Sequence, residues 1–399
     1  MNVSRVTVAV LLVLFLPATL FAATEAQKQA AIDNGLAFLA SQQQPWGGWA
    51  ATAYPVADTG AIVLAFEEKG YLPGPAGYND VVRRGVQYIL SQGSMTGTGV
   101  SFGGGGEESY VVGFAVPAIA KSGYAPGATY TGPGALNGMT YGAIVQSAVD
   151  RIVAGQNTPG AHWQPGGGWG YDLWQNNYRA DNSTSQWPAT ALLYAPLMGA
   201  SVPQSTKDNL KPWINWIQDY PGSGASAYDY PGSYLNESKT GGLLIEMTLA
   251  GGYGLANAKE LAALAYLNAN WKNTPSGTWW GNFGHPYAMW SIYKGLELTI
   301  GLDDTTHITN LHPPGPMDPG DTWNWWEDYC DYLVNTQSGA GYWGGYDYWP
   351  WTLATAWDIN ILNAVHIPGG VPEPSTFVIW GSLVGIGAGA RWLRRRKLA

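Results

Sequence analysis

Cysteine is almost missing from this chain: Cys330 stands alone among 399 residues. A single thiol makes no internal disulfide framework and supplies no Cys-rich metal site. Charge is also scarce, at 12% of residues, and cations are outnumbered, with 19 Lys and Arg against 28 Asp and Glu. A formal net charge of −9 offers no basic surface to neutralise phosphates, which excludes nucleic acid as a partner. No metal site and no cofactor is expected. Aromatics, by contrast, reach 13%, more than the charged residues. The 54 glycines and 26 prolines cluster between apolar segments, where they mark turns and not disorder. The length fits one large domain or two small ones.

Both ends read as addresses. Arg5, the apolar run Val6 to Phe21 and the small residues behind it form an export signal over residues 1–26. It is cut between Ala22 and Ala26, or else kept as an uncleaved anchor. At the other end, Pro372, Glu373 and Pro374 precede an apolar stretch from Phe377 to Ala390, and Arg391, Arg394, Arg395, Arg396 and Lys397 follow. The stretch is short for a bilayer, which takes ~20 residues of helix, and the cations place its end on the cytoplasmic side. Residues 371–399 resemble the PEP-CTERM sorting signal of Gram-negative bacteria in motif, order and position. That resemblance implies an exosortase-type processing enzyme as partner. It also implies export across the inner membrane, membrane contact through this segment, and a final place in the envelope or outside the cell.

Between the ends one pattern recurs six times: an apolar helix, a Gly- and aromatic-rich turn, and an Ala/Leu-rich helix. The pairs are 27–43 with 58–69, 80–92 with 109–121, 142–156 with 184–198, 205–220 with 238–250, 256–271 with 286–302, and 321–337 with 352–365. Leu36, Leu39 and Ala40 keep helical i, i+3, i+4 spacing, as do Leu261, Leu264 and Ala265. The second members, such as Ala61-Ile62-Val63-Leu64-Ala65-Phe66, are apolar nearly all round, the mark of a helix buried on several sides. One-sided helices alternating with all-round ones imply an outer ring over an inner ring, an all-α (α/α)6 toroid of about 12 helices over residues 27–370. Pro117 falls inside one helix and should kink it. Residues 303–320 read as an irregular connector.

The turns carry a second signal. Phe38-Leu39, Gln43 and Gly47-Gly48-Trp49 form one copy, and Tyr332-Leu333, Gln337 and Gly341-Tyr342-Trp343 another. Gly167-Gly168-Trp169 and Gly277-Thr278-Trp279 keep the second half, while the second and fourth turns are degraded. This grammar is similar to the QW motif of squalene and hopene cyclases and to the repeat of protein prenyltransferase β subunits. The resemblance implies an α/α toroid in which Gln43, Trp49, Gln337 and Trp343 tie neighbouring helices together.

The chemistry of those families does not map. The cyclase acid motif Asp-x-Asp-Asp-Thr falls on Pro55-Val56-Ala57-Asp58-Thr59, with alanine at the acid position. Asp58 and Thr59 then read as helix N-cap residues. The prenyltransferase zinc pattern is approached by Asp328-Tyr329-Cys330, but on the outer helix of its pair, so Cys330 reads as a buried core residue. Asp58, Asp172 and Asp181 remain as candidate catalytic carboxylates, the last two as an acid/base pair for a glycan. Trp169, Tyr171, Trp174, Tyr228, Asp229, Trp280, His285, Tyr346 and Asp347 lie on loops that open at one end of the toroid. Flat aromatic faces beside carboxylates suit a sugar or a hydrophobic small molecule, and equally suit packing. The expectation is an exported, envelope-associated, non-catalytic binding or structural toroid. Two alternatives stay open, a terpenoid cyclase-like enzyme and a glycan-active hydrolase or lyase.

Overall fold

The computed structural model describes residues 22–317 and 319–364. The export segment through residue 21 and the whole of 371–399 therefore lie outside the described residues, with Pro372, Glu373, Pro374, Arg394, Arg395 and Arg396 among them.

Twelve α-helices occupy the described residues. The outer set is α1 (Glu25–Ser41), α3 (Gly77–Gln92), α5 (Tyr141–Gly155), α7 (Gln204–Ile217), α9 (Ala258–Ala269) and α11 (Trp325–Thr336). The inner set is α2 (Pro55–Glu68), α4 (Glu108–Lys121), α6 (Gln186–Tyr194), α8 (Glu237–Ala250), α10 (Pro286–Thr299) and α12 (Trp351–Leu362). Burial separates them as the sequence pattern requires. Helix α3 buries one stripe, Val81, Val82, Gly85, Val86, Ile89 and Leu90, whereas α2 buries every residue from Val56 to Glu67. Each fully buried Leu, Ile or Val contributes about 1.5–3 kcal/mol, so the all-round apolar helices hold the centre.

The inner ring closes. Helix α2 packs on α4, α4 on α6, α6 on α8, α8 on α10, α10 on α12, and α12 back on α2. In the outer layer α1 touches α11, so the first and last pairs meet. The expected closed toroid is what the chain forms.

The Gln and Trp positions fasten the outer layer. The Gln43 amide donates to Gly47 O at 2.7 Å and to Val81 O of α3 at 2.8 Å. Gln156 ties α5 to Thr206 O of α7 at 3.0 Å, and Gln218 ties α7 to Lys259 O of α9 at 2.7 Å. Gln337 reaches Ala31 O of α1 at 2.7 Å and so fastens the last unit to the first. Trp49, Trp169 and Trp343 each donate Nε1 to a carbonyl of their own outer helix, on Leu39, Ile152 and Leu333. The glycine ahead of each pair lets backbone meet backbone. At Gly341 (φ +89°) a Cβ would lie 2.5 Å from Asn34 O.

Several expectations are corrected. The fourth turn lacks its tryptophan, as expected, yet Gln218 still keeps the glutamine half of the tie. The second turn is a short antiparallel hairpin, β1 (Ser94–Thr96) and β2 (Gly99–Ser101), in an otherwise helical body. Gly277-Thr278-Trp279 is not a tie, since Trp279 is 47% exposed and Phe283 fills the buried place. Asp58 and Thr59 do not cap α2, which already starts at Pro55. Thr59 instead accepts from Trp49 N and donates to Pro55 O, a bond repeated by Thr355 with Trp343 N and Trp351 O. Helix α1 begins at Glu25, earlier than expected, where Thr24 and Gln27 form a reciprocal capping box.

Candidate functional site

All six inner helices direct their N-terminal turns toward one end of the toroid, and those turns wall a chamber of about 1130 Å³. Asp58 comes from α2, Tyr110 and Phe114 from α4, Trp187 from α6, Lys239 from α8, Tyr287 from α10, and Leu353 and Trp357 from α12. The loops ahead of these helices complete the wall with Thr52, Glu107, Tyr171, Arg179, Tyr228, Asp229, Asp347 and Trp349.

Aromatic rings converge at the floor. Trp187 of α6 stacks on Trp290 of α10 at 4.9 Å between centroids and meets Phe114 of α4 at 4.5 Å. Trp357 of α12 lies 6.0 Å from Phe114 and 6.3 Å from Trp187. These helices face one another across the bore, so their rings fill it. Tyr287 stacks on Trp349 at 5.0 Å, and the Tyr171 and Tyr228 hydroxyls meet at 2.7 Å. Around the mouth Tyr230, Tyr234, Trp279 and Tyr348 line the chamber and are exposed.

Four carboxylates stand in this wall: Asp58, Glu107, Asp229 and Asp347. Their environments differ. Asp58 accepts from Ala51 N, Thr52 N and Thr52 Oγ1 at 2.7–3.0 Å, yet burial lifts its pKa to about 6. The Glu107 carboxyl makes no hydrogen bond to a described residue. Burial, reinforced by the charge of Asp181, raises it to about 7. Asp229 is held by Arg179 and by Ser233 Oγ. Lys239, 4% exposed, is lowered to about 7 by burial, although Asp181, Glu237 and Asp229 pull it back upward.

Asp181 lies just behind the wall. Its Oδ1 accepts from Ser183 N, Ser183 Oγ and Thr184 N ahead of α6, and burial raises it to about 6. Its charge reaches Glu107, Tyr110, Tyr171, Tyr228 and Tyr287. His285 caps α10, with Nδ1 accepting from Ala288 N and Nε2 against Thr278 O, and burial lowers its pKa. This assigns a neutral ring protonated at Nε2.

The structure thus gathers Asp58, Tyr171, Tyr228, Asp229, His285 and Asp347 in one chamber, with Asp181 behind it. It leaves out others named from the sequence. Asp172 closes its own loop through Trp174 N and Asn177 Nδ2 and does not line the chamber, so the Asp172–Asp181 pair is not formed there. Trp169 is fully buried as a helix tie. Trp174 lies over Arg151, Trp280 packs beside Tyr234, and Tyr346 donates to Gly277 O, all outside the lining. Sequence reasoning missed Glu107, Tyr110, Arg179, Lys239 and Tyr287. Their one available signal was position: each lies at or just ahead of an inner-helix N-terminus, or in the loop before it.

No protein-family model and no curated protein matches the chain. Among solved structures, the apo form of the type II terpene cyclase MstE from Scytonema is similar at 13% identity and a TM-score of 0.48. The match covers 86% of this chain and 98% of that one. At that level it carries no weight for fold or activity, and the toroid rests on the helix contacts described above.

Proposed function

We propose that the protein is an exported, envelope-held toroid that binds a glycan in its aromatic chamber. The observation that carries this reading is the wall itself. Tyr171, Tyr228, Tyr287, Trp349 and Trp357 offer ring faces among Asp58, Asp229, Asn236 and Ser183, which offer hydrogen-bond partners. A sugar presents apolar C–H faces and a girdle of hydroxyls, and such a wall meets both. An isoprenoid would offer no hydrogen bond to the Glu107 carboxyl, which has no side-chain partner among the described residues, and an unpaired polar group shut off from water costs about 1–3 kcal/mol. Binding of neutral and acidic oligosaccharides, and of farnesol, is measured by calorimetry. Oligosaccharide binding that Tyr228→Ala weakens at least about tenfold supports the proposal; farnesol binding alone refutes it.

Glu107 favours a second reading, that the chamber also cleaves its glycan. It is an unbonded carboxyl raised to about 7, in the same wall as Asp58 at about 6. Two carboxyl groups poised between acid and base are what glycoside cleavage requires. Turnover of a bound oligosaccharide that disappears in Glu107→Gln, with binding retained, establishes this activity. Binding without turnover in the wild type leaves the chamber a receptor.

The export reading rests on residues 1–26 and 371–399. The Thr24 cap of α1 supports signal cleavage at or before the Ala23–Thr24 bond. N-terminal mass analysis of the mature protein checks this. A start beyond Thr24 contradicts it.

A further inference from the structure

Lys239 is not explained by ligand binding through stacking and hydroxyl contacts. It occupies the first turn of α8, in the chamber wall, and is 4% exposed. Its Nζ makes no hydrogen bond and no ion pair with any described residue, and the Tyr228 ring lies 5.9 Å away. Two independent features disfavour its charged form. The chamber wall removes water from the amine, and the α8 N-terminus presents the positive end of the helix dipole beside it. Against these stand Asp181, Glu237 and Asp229, whose charges oppose the shift without contacting Nζ. The outcome is an amine lowered to about 7, so much of it is unprotonated at neutral pH.

We propose that Lys239 is an amine nucleophile that captures an aldehyde carbonyl entering the chamber, forming a Schiff base. The nitrogen lone pair makes the new C–N bond while the carbonyl π pair moves to oxygen and takes a proton from the nitrogen. The carbinolamine then expels its oxygen as water, carrying both amine protons, and the C=N bond forms. No oxidant or reductant enters the step. Aromatic walls that exclude water favour this dehydration, as in other desolvated lysine nucleophiles. The inference rests on the chamber as the ligand site but not on the ligand being a glycan.

The test uses the purified protein at pH 7 with benzaldehyde or glyceraldehyde as probe and cyanoborohydride to trap the imine. Peptide mapping follows modification at each lysine with time. Lys239 is expected to be modified at least about tenfold faster than exposed Lys272, because the chamber holds the probe against its amine. The fast adduct is expected to vanish in Lys239→Met. If that variant fails to fold, the comparison within the wild type still decides. Modification of Lys239 no faster than Lys272 overturns the proposal with both probes. Faster labelling by benzaldehyde than by glyceraldehyde identifies the acceptor as apolar; the reverse identifies a sugar-like aldehyde. Because no glycan is present, failure here is separable from failure of the glycan reading.

Discussion

Asp58 shows how a residue chosen for chemistry can also hold the fold. Its carboxylate gathers two backbone amides and the Thr52 hydroxyl, which pins the 51–52 loop over the first turn of α2. Asp58→Ala is expected to cost about 1–3 kcal/mol in denaturant unfolding, since the amides lose their acceptor in a half-buried place. Asp172→Ala, in a loop apart from the chamber, serves as comparison in the same measurement. The buried carboxyls also set a pH dependence. Asp58, Asp181 and Glu107 have folded pKa values of about 6, 6 and 7, above their ordinary values near 4. Burial pushes Glu67, Glu246 and Asp358 the same way. The folded state therefore holds protons that the unfolded chain releases, and stability falls as pH rises from about 4 through about 7. Lys239 acts oppositely: its folded value is depressed, so its contribution to stability grows from about 7 toward the ordinary lysine range. A melting temperature higher at pH 5 than at pH 7.5 is expected, and a profile rising across that interval contradicts the assignment. Legibility was poorest at this scale. Asp58 and Asp181 stood out because oxygen side chains before apolar runs are conspicuous. Lys239, in Glu237-Ser238-Lys239-Thr240, looks like any polar helix start, and only closure of the ring buries it.

At the scale of elements the sequence was far more explicit. An apolar stripe against an all-round apolar run told outer from inner helix, and all twelve lie within a few residues of their expected ranges. The Gln-to-Trp grammar was legible where both ends survived. In the fourth turn it was not, because Gln218 works with Ser226, whose backbone N–H bonds Thr240, and no tryptophan advertises the tie. Trp279 misled for the converse reason: a Gly-x-Trp spelling placed on the chamber rim. Backbone geometry supplies the sharpest test. Gly341→Ala forces a Cβ to within 2.5 Å of Asn34 O at φ +89°, whereas Gly344 has nothing within 4 Å. Gly341→Ala is expected to destabilise by more than about 1 kcal/mol, and Gly344→Ala by no more than a few tenths. Thermal melting of the pair checks it, and equal effects would mean that α1 and the last turn do not meet as described.

For the whole molecule, repetition carried the argument. Six pairs that cannot bury their inner faces alone must stack, and a closed ring leaves no pair at an edge. What repetition could not reveal is the chamber, because its lining comes from six separate first turns that converge only after closure. The same limit explains why Glu107 and Asp58 came into one wall unforeseen, and why the absence of the cyclase acid motif did not settle the chemistry. At this scale, removal of 371–399 is expected to release the protein from the membrane fraction into the periplasm or medium. Fractionation with an internal tag checks that, and an unchanged membrane share counts against the sorting reading.

The most direct test of the central claim is oligosaccharide binding by calorimetry in three forms: wild type, Trp349→Ala in the chamber, and Trp163→Ala, an exposed residue outside it. The account predicts saturable binding that Trp349→Ala weakens at least about tenfold and Trp163→Ala leaves within about twofold, as expected when a stacking face is removed from a central pocket and not from a distant surface. Binding unaffected by Trp349→Ala, or lost equally in both variants, would contradict it.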